Sequence, residues 1–132
     1  MNIGEAARKI DLPVKTLRYY EEIGLLVPAR QTNGYRDYCD ADLEQLRLIG
    51  RARQLGFGID DCRNLLMLYA DEGRASADVK LIAKAHLEAI DLKIAQLQAL
   101  RKSLVPLLKA CRGNEEADCA ILNDLIQPQT HH

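Results

Sequence analysis

The strongest constraint on this 132-residue chain is a long apolar repeat in its second half. Apolar residues recur there in alternating steps of four and three, interrupted only by Arg101, at Ala83, Leu87, Ile90, Ile94, Leu97, Leu104 and Leu108. This heptad seam predicts a long helix whose apolar face is covered by a second helix. A helix that folds back on itself could supply that cover within one chain, but no central break interrupts the repeat. We therefore expect the chain to form a homodimer through this helix.

Two shorter helical segments stand at the start of the chain. They read IGEAARKI and VKTLRYYEEIGLL, with the break DLP between them, and Gly24 is positioned to end the second helix. Two short helices joined by a tight turn are typical of a helix-turn-helix. The segment VPARQTNGYRDY follows directly, and its Asn33-Gly34 pair predicts a hairpin turn. Together these segments predict a winged helix-turn-helix.

The rest of the chain is also predicted to be helical, so the expected fold is mainly α. The runs DADLEQLRLIGRARQLGF and GIDDCRNLLMLY predict a second helical pair, Ser76 can cap the long helix, and a short apolar helix covers residues 121–126. Residues 1–70 then form the winged helix-turn-helix with the second helical pair. Residues 71–110 form a linker and an antiparallel coiled-coil dimerisation helix, and residues 111–132 form a cysteine-bounded loop, a short helix and a tail.

Composition restricts the class of protein. The formal net charge is -1, which is not the overall signature of a nucleic-acid-binding protein, so any DNA contact must come from a local arrangement. No apolar run is long enough to span a membrane, and the opening residues MNIGEAARKI lack the apolar core of a signal peptide. We therefore expect a cytoplasmic protein with reduced thiols and no membrane partner.

The second short helix carries polar side chains suited to the major groove of DNA. Lys15 and Arg18 would neutralise phosphates, and Thr16 would meet a base edge. The predicted DNA contacts are Lys15, Thr16, Arg18, Tyr19 and Tyr20 on this helix, with Tyr35 and Arg36 in the wing. From spacing alone, the same residues are equally compatible with an ordinary solvated helical pair.

Four cysteines raise a separate question, because two of them bracket the loop CRGNEEADC. Cys111 and Cys119 could form a disulfide, a metal clamp or a redox switch, or have no special role, and a reducing compartment disfavours the disulfide. Cys39 lies at the start of a helix and Cys62 lies among apolar residues, so we assign both to structure.

The order and spacing of several motifs resemble the MerR family of transcription regulators. The motifs are LRYYEEIGLL, the wing sequence NGYRDY, and LGF. The similarity extends through ASADVK and CRGNEEADC, which resemble the copper-efflux (CueR-like) branch of that family. The resemblance implies a dimeric activator that binds promoter DNA with or without metal. It also implies that metal binding bends and underwinds the DNA, which realigns the contacts of RNA polymerase.

For Cys111 and Cys119, the resemblance implies a metal site that takes one Cu(I) per subunit. The donor chemistry agrees, because thiolates are soft ligands that suit a soft monovalent ion, whereas zinc sites use three or four protein ligands. Gly113 allows the loop to curl so that both sulfurs reach one ion from opposite sides. Ag(I) and Au(I) fit the same linear pair, so the choice among the three ions stays open.

The resemblance also places Ser76 where relatives that sense divalent ions carry a third cysteine. Ser76 and Cys111 are 35 residues, or five heptads, apart on one helix, so they cannot meet within a chain. An antiparallel dimer would bring Ser76 of one subunit to the thiol loop of the other. The helix N-terminus there, with or without Lys80, would offset the negative charge left on a bis-thiolate site.

The sequence leaves one alternative function open and argues against two others. The alternative is a thiol-redox sensor on the same DNA-binding scaffold, for which Arg112 is the only basic residue in the loop that could lower a thiol pKa. An enzyme would need a base near the thiols, and His86 is 25 residues from Cys111. A drug-sensing relative would need a ligand-binding domain, and only about twenty residues follow the long helix. We assign no role to His131 and His132.

Overall fold

The computed structural model describes residues 1–128 as a mainly helical chain with one small antiparallel sheet. The elements in chain order are α1 Ile3–Ile10, α2 Val14–Glu22, β1 Ala29–Arg30, β2 Arg36–Asp37, α3 Asp40–Gln54, α4 Ile59–Ala70, α5 Ser76–Ala110 and α6 Ala120–Leu125. This order confirms the predicted winged helix-turn-helix, second helical pair, long helix and short terminal helix. The chain divides into two compact units, residues 1–83 and the residues from Lys84 onward. His131 and His132 lie outside the described residues.

Local capping fixes the first two helices. Asn2 Oδ1 accepts the backbone N–H of Glu5 at 2.8 Å, which satisfies one of the free donors at the start of α1. Asp11 ends α1 in the left-handed conformation, with a φ of 56°. Gly24 has a φ of 71° just after α2, a conformation that glycine adopts without a Cβ penalty. The predicted stop at Gly24 is therefore confirmed.

The core of the first unit is formed by the apolar faces of α1 to α4 and by Tyr38 after the wing. The most deeply buried large side chains are Leu17, Tyr38, Leu46, Ile49 and Cys62. Burial raises the pKa of the Cys62 thiol, and the expected packing role of this residue is confirmed. Cys39, by contrast, is exposed at the start of α3, where its backbone N–H donates to Asp42 Oδ2 at 3.0 Å.

A side chain from α4 secures the end of α2. Arg63 Nη2 donates to the carbonyl of Ile23 at 3.2 Å, and Arg63 Nη1 donates to the carbonyl of Gly24 at 3.3 Å. Carbonyl groups at the C-terminus of a helix lack partners within the helix, and a nearby cation also interacts favourably with the helix dipole. Arg63 therefore holds α4 and the end of α2 together.

The wing is a hairpin with two residues in each strand. β1 and β2 are antiparallel, and Arg30 lies directly opposite Arg36. The backbone N–H of Gln31 donates to the Tyr35 carbonyl at 2.7 Å, and Gly34 in the turn has a φ of 85°. The predicted asparagine–glycine turn is confirmed, because the second turn residue takes the left-handed conformation that glycine favours.

Helix α5 is continuous from Ser76 to Ala110 and contains Pro106 near its end. Five seam residues in the second unit are between 47 and 66% exposed: Leu87, Ile94, Leu97, Leu104 and Leu108. Because removing apolar surface from water is favourable, this face is available to a partner helix. Within residues 1–128, every helix is too short or too polar to cross a membrane.

Candidate nucleic-acid interface and metal centre

The side chains predicted to meet DNA lie mostly on the outer face of α2. Lys15, Arg18 and Tyr19 are exposed, and Thr16 is partly buried. Lys15, Thr16 and Tyr19 line a shallow cleft of about 390 Å³ together with Arg53 from α3. Arg53 was not among the predicted DNA contacts, because its approach to α2 depends on how α3 packs and not on any local spacing.

Tyr20 is the exception among the predicted DNA contacts. Its side chain is 6% exposed, and its ring packs edge-on against Tyr19 with the ring centroids 6.1 Å apart. Burial raises the pKa of its hydroxyl. A ring that completes the core of the first unit has little surface left for DNA. Its burial favours a packing role, but because Tyr20 also lines the cleft with Lys15 and Thr16, its DNA contact stays a prediction.

In the wing, the two predicted DNA contacts lie in different environments. Tyr35 is 71% exposed beside the turn, where a ligand can reach it. Arg36 is partly buried, and its Nε donates to Glu21 Oε2 of α2. Arg30 of the facing strand donates from Nη2 to the other carboxylate oxygen, Oε1, at 2.7 Å. The guanidinium of Arg36 is thus already paired within the protein, and its contact with DNA stays a prediction.

Cys111 and Cys119 are brought together between the end of α5 and the start of α6. Their Sγ atoms are 3.7 Å apart. The backbone N–H of Cys111 donates to the Leu107 carbonyl at 3.1 Å and so extends the last turn of α5. The Cys119 carbonyl accepts the N–H of Asn123 at 2.9 Å in the first turn of α6. Each thiol is therefore attached to a helix, and the loop between them closes the pair.

Short-range hydrogen bonds shape this loop. Gly113 has a φ of 64°, which confirms that the chain curls at the glycine. Asn114 Oδ1 accepts the N–H of Glu116 at 3.0 Å, and Asp118 Oδ1 accepts from Asn123 Nδ2 at 3.0 Å. The carboxylate of Asp118 is thus tied to Asn123 of α6, and its charge opposes the lowering of the pKa of the adjacent Cys119 thiol.

The electrostatic environment favours the thiolate form of Cys119. The backbone N–H of Leu122 donates to its sulfur and is the main reason that the pKa of this thiol is lowered. The hydrogen bond from Cys111 and the N–H of Ile121 lower the pKa further, against the opposing effect of burial. Because the thiolate is the form that binds metals, the lowered pKa favours metal binding by Cys119.

The pair fits a single metal ion. All four cysteines are free, and a sulfur separation of 3.7 Å is well beyond the length of a disulfide bond, about 2.05 Å. With bonds of about 2.3 Å, the length found for zinc thiolates, one ion can bridge sulfurs that lie up to about 4.6 Å apart. In the described part of the chain, no group of three or more His, Cys, Asp or Glu side chains is placed to hold a metal. Within residues 1–128, the candidate ligand set is therefore the two sulfurs of Cys111 and Cys119.

Ser76 and Lys80 lie one turn apart at the start of α5, and both are exposed. They line a shallow cleft with Glu72 and Arg74 in the first unit. Their predicted role at the thiol site of a partner subunit stays a prediction, as does the choice between Lys80 and the helix terminus for charge compensation.

A winged helix-turn-helix followed by a long apolar-faced helix and a thiol pair defines a DNA-binding regulator that can accept a metal ion. Residues 1–68 match the family described as "MerR HTH family regulatory protein", and residues 43–107 match "MerR, DNA binding". The chain therefore belongs to the MerR family, which confirms the resemblance seen in its motifs.

Relatives along nearly the whole chain refine this assignment. The HTH-type transcriptional regulator HmrR of Rhizobium leguminosarum bv. viciae is 54% identical, over 95% of this chain and 97% of HmrR. The HTH-type transcriptional regulator CueR of Salmonella typhimurium is 41% identical, over 95% of this chain and 91% of CueR. The crystal structure of the regulator PbrR691 from Ralstonia metallidurans CH34, in complex with lead(II), has a TM-score of 0.85 at 35% identity, over 95% of this chain and 98% of PbrR691. The chain is thus of the MerR-type, metal-responsive class of transcription regulators, which are not enzymes.

Proposed function

We propose that this chain is a homodimeric, Cu(I)-responsive transcription activator that works in the cytoplasm. It binds double-stranded promoter DNA through the winged helix-turn-helix and acts there on RNA polymerase. The observation that carries the proposal is the pair of free thiols at Cys111 and Cys119, whose sulfurs are 3.7 Å apart. The genes it switches on would be copper-resistance genes, whose products export or oxidise copper.

The donor set supports one soft monovalent ion per subunit. Thiolate sulfur selects Cu(I), and Ag(I) and Au(I) share its softness and its charge. Zinc sites use three or four protein ligands, whereas this chain brings two thiols together. Two thiolates on a monovalent ion retain one negative charge. The N–H groups of Ile121 and Leu122 beside Cys119 already favour negative charge at that sulfur.

The partner subunit completes the site in this proposal. Antiparallel pairing of two α5 helices would place Ser76 and Lys80 of one subunit beside the Cys111–Cys119 loop of the other. Serine in place of a third thiolate would leave a divalent ion short of ligands. The first turn of α5, with or without Lys80, would offset the remaining negative charge. The exposed seam of α5 supports this pairing, because a second helix is the simplest cover for it.

The DNA contacts follow from the exposed face of α2 and from the wing. We assign them to Lys15, Thr16, Arg18, Tyr19, Tyr35 and Arg36. A helix with exposed polar residues in its first turns can enter the major groove, while a hairpin beside it follows the backbone. Lys15 and Arg18 would neutralise phosphates, so binding should weaken steeply with salt.

Metal can act as a switch only if it binds one conformation of the dimer better than another. We infer that this difference comes from ordering of the 111–119 loop and docking of α6 on the dimer. Three large apolar side chains at the end of the chain's described part are exposed in the single chain, namely Leu122 and Leu125 of α6 and Ile126 after it. If these side chains were buried in only one conformation of the dimer, metal binding would change the angle between the two DNA-binding units. That angle would set whether the promoter is bent and underwound.

An anaerobic titration of the reduced protein with Cu(I), against a chromogenic Cu(I) competitor, tests the metal assignment. We expect one tightly bound Cu(I) per subunit, lost in Cys111→Ser and in Cys119→Ser. Zn(II) and Pb(II), titrated in parallel, should bind more weakly. Cys39→Ser is the matched control, because it removes an exposed thiol that is not part of the pair.

Three outcomes would contradict the proposal. Cu(I) binding that survives both loop substitutions would show that the thiol pair is not the site. Tighter binding of Pb(II) than of Cu(I) would reassign the site to a divalent ion. Promoter activation by an oxidant in the absence of metal, lost in Cys111→Ser, would establish the thiol-redox alternative instead.

A further inference from the structure

Glu21 of α2 connects both strands of the wing to the helix proposed to enter the major groove. Its side chain is 12% exposed, and its two oxygens accept hydrogen bonds from two different arginines. Arg30 Nη2 on β1 lies 2.7 Å from Oε1, and Arg36 Nε on β2 donates to Oε2. One carboxylate therefore holds both strands against α2.

The two arginines need this anion. Arg30 and Arg36 lie directly opposite each other in the hairpin, and like charges at such positions are destabilising. An isolated two-stranded hairpin is marginally stable in water, and this one has only two residues in each strand. Glu21 converts a repulsive cross-strand pair into a three-residue ion cluster. Because Glu21 is nearly buried, salt screens this cluster less than it screens an exposed pair.

Arg30 extends the connection to the tip of the wing. Its Nη1 donates to the carbonyl of Gly34 at 2.9 Å, so one guanidinium contacts both α2 and the turn. Tyr35, the next residue, is 71% exposed and is one of the proposed DNA contacts. The position of Tyr35 relative to α2 therefore depends on the pairing of Glu21 with Arg30.

We propose that Glu21 is a positioning residue that sets the discrimination between an operator and other DNA. It fixes the wing so that the wing and α2 meet the same stretch of DNA together. It also keeps the guanidinium of Arg30 from pairing with phosphates of any sequence and limits Arg36 to the DNA contact that the fixed wing allows. Phosphate contacts carry no sequence information directly, so arginines released from Glu21 would strengthen binding to all DNA. This inference rests on the DNA contacts of the proposed function.

Glu21→Gln tests the inference, with Glu22→Gln as a matched control that removes the same charge from an exposed neighbour. The probes are a duplex selected by the wild-type protein from a random-sequence library and a scrambled duplex of equal length. Fluorescence anisotropy over a salt series measures both affinities. We expect Glu21→Gln to bind the selected duplex about tenfold more weakly and the scrambled duplex about threefold more tightly, with a salt slope steeper by about 1 to 2. Glu22→Gln should leave the ratio of the two affinities unchanged.

Equal effects of the two substitutions would overturn the inference. So would a parallel loss of affinity for both duplexes with a lower melting temperature, because Glu21 would then act only on stability. If Glu21→Gln does not fold, Arg30→Gln provides the second test. It should weaken binding to the selected duplex without strengthening binding to the scrambled one, and an unchanged affinity for the selected duplex would overturn the inference. A wild-type protein that selects no sequence would overturn the proposed DNA contacts, and this inference with them.

Discussion

The apolar seam of α5 allows the strength of the proposed dimer to be related to single side chains. Leu97 lies on the seam and is 63% exposed, whereas Leu92 is 61% exposed but lies on the opposite face of the helix. Burying a whole leucine side chain contributes about 2 kcal/mol. Covering the exposed part of Leu97 should therefore contribute about 1.3 kcal/mol in each subunit.

A dimer contains two copies of Leu97, so Leu97→Ala should cost about 2.5 kcal/mol and raise the dimer dissociation constant roughly 60-fold. Leu92→Ala removes the same atoms from an equally exposed position and should change that constant by less than about twofold. Sedimentation velocity over a dilution series measures both constants, and far-ultraviolet circular dichroism shows whether the helix is retained. Equal weakening by the two substitutions, or no weakening by Leu97→Ala, would refute the assignment of the seam as the dimer interface.

Three further predictions concern single residues. Cys62→Ser places a hydroxyl at a fully buried position and should lower the free energy of unfolding, measured in urea, by about 1 to 3 kcal/mol. The Cu(I) stoichiometry should stay unchanged. A variant as stable as the wild type would contradict the assigned packing. Arg63→Met keeps an unbranched side chain but removes two hydrogen bonds at the end of α2. The free energy of unfolding in urea should therefore fall by about 1 to 2 kcal/mol, and fluorescence anisotropy should show weaker DNA binding. Because the pKa of Cys119 is lowered, the rate of its alkylation should rise with pH around a midpoint below about 8.5, the value for a free thiol. Cys111→Ala removes one hydrogen bond that lowers this pKa and should move the midpoint upward; an unmoved midpoint would show that the two thiols do not interact.

Much of the fold could be predicted because it depends on near neighbours in the chain. The four-and-three repeat predicted a long helix, and α5 is continuous over Ser76–Ala110. The wing turn follows from the conformational freedom of Gly34, which has a φ of 85°. The Cys62 thiol was expected in the core from its apolar neighbours, and it is fully buried. Each of these signals acts over a few residues, so the sequence carries it directly.

Features that depend on packing between elements were not predictable in the same way. Tyr20 was included among the DNA contacts although it shares the apolar stripe of Leu17, and its 6% exposure depends on how α2 packs into the first unit. Glu21 reaches Arg30 and Arg36, which lie 9 and 15 residues further along the chain on other elements. No helical or strand period links residues at these separations, so the cluster became visible only in the folded unit.

The proposed metal site was predictable in its ligand type but not in its dimensions. The spacing of Cys111 and Cys119 allowed a clamp, a disulfide or a switch. The 3.7 Å separation of the sulfurs depends on the left-handed Gly113 and on the hydrogen bonds of Asn114 and Asp118. These local turns bring the sulfurs within reach of one ion, and they could not be read from the number of residues between the cysteines.

The seam and the thiols occupy separate stretches of the chain, and this separation has a genetic consequence if the seam forms the dimer. A subunit with Cys111→Ser keeps the whole seam, so it would pair with a normal subunit as readily as normal subunits pair with each other. In a cell that expresses both alleles equally, half of the normal subunits would then be captured in mixed dimers with a single intact thiol pair, and only a quarter of the dimers would be fully normal. If a dimer needs both thiol pairs to respond, alleles that damage the thiol loop should therefore be partly dominant over the normal gene. Alleles that damage the seam should be recessive, because their products never enter the dimer.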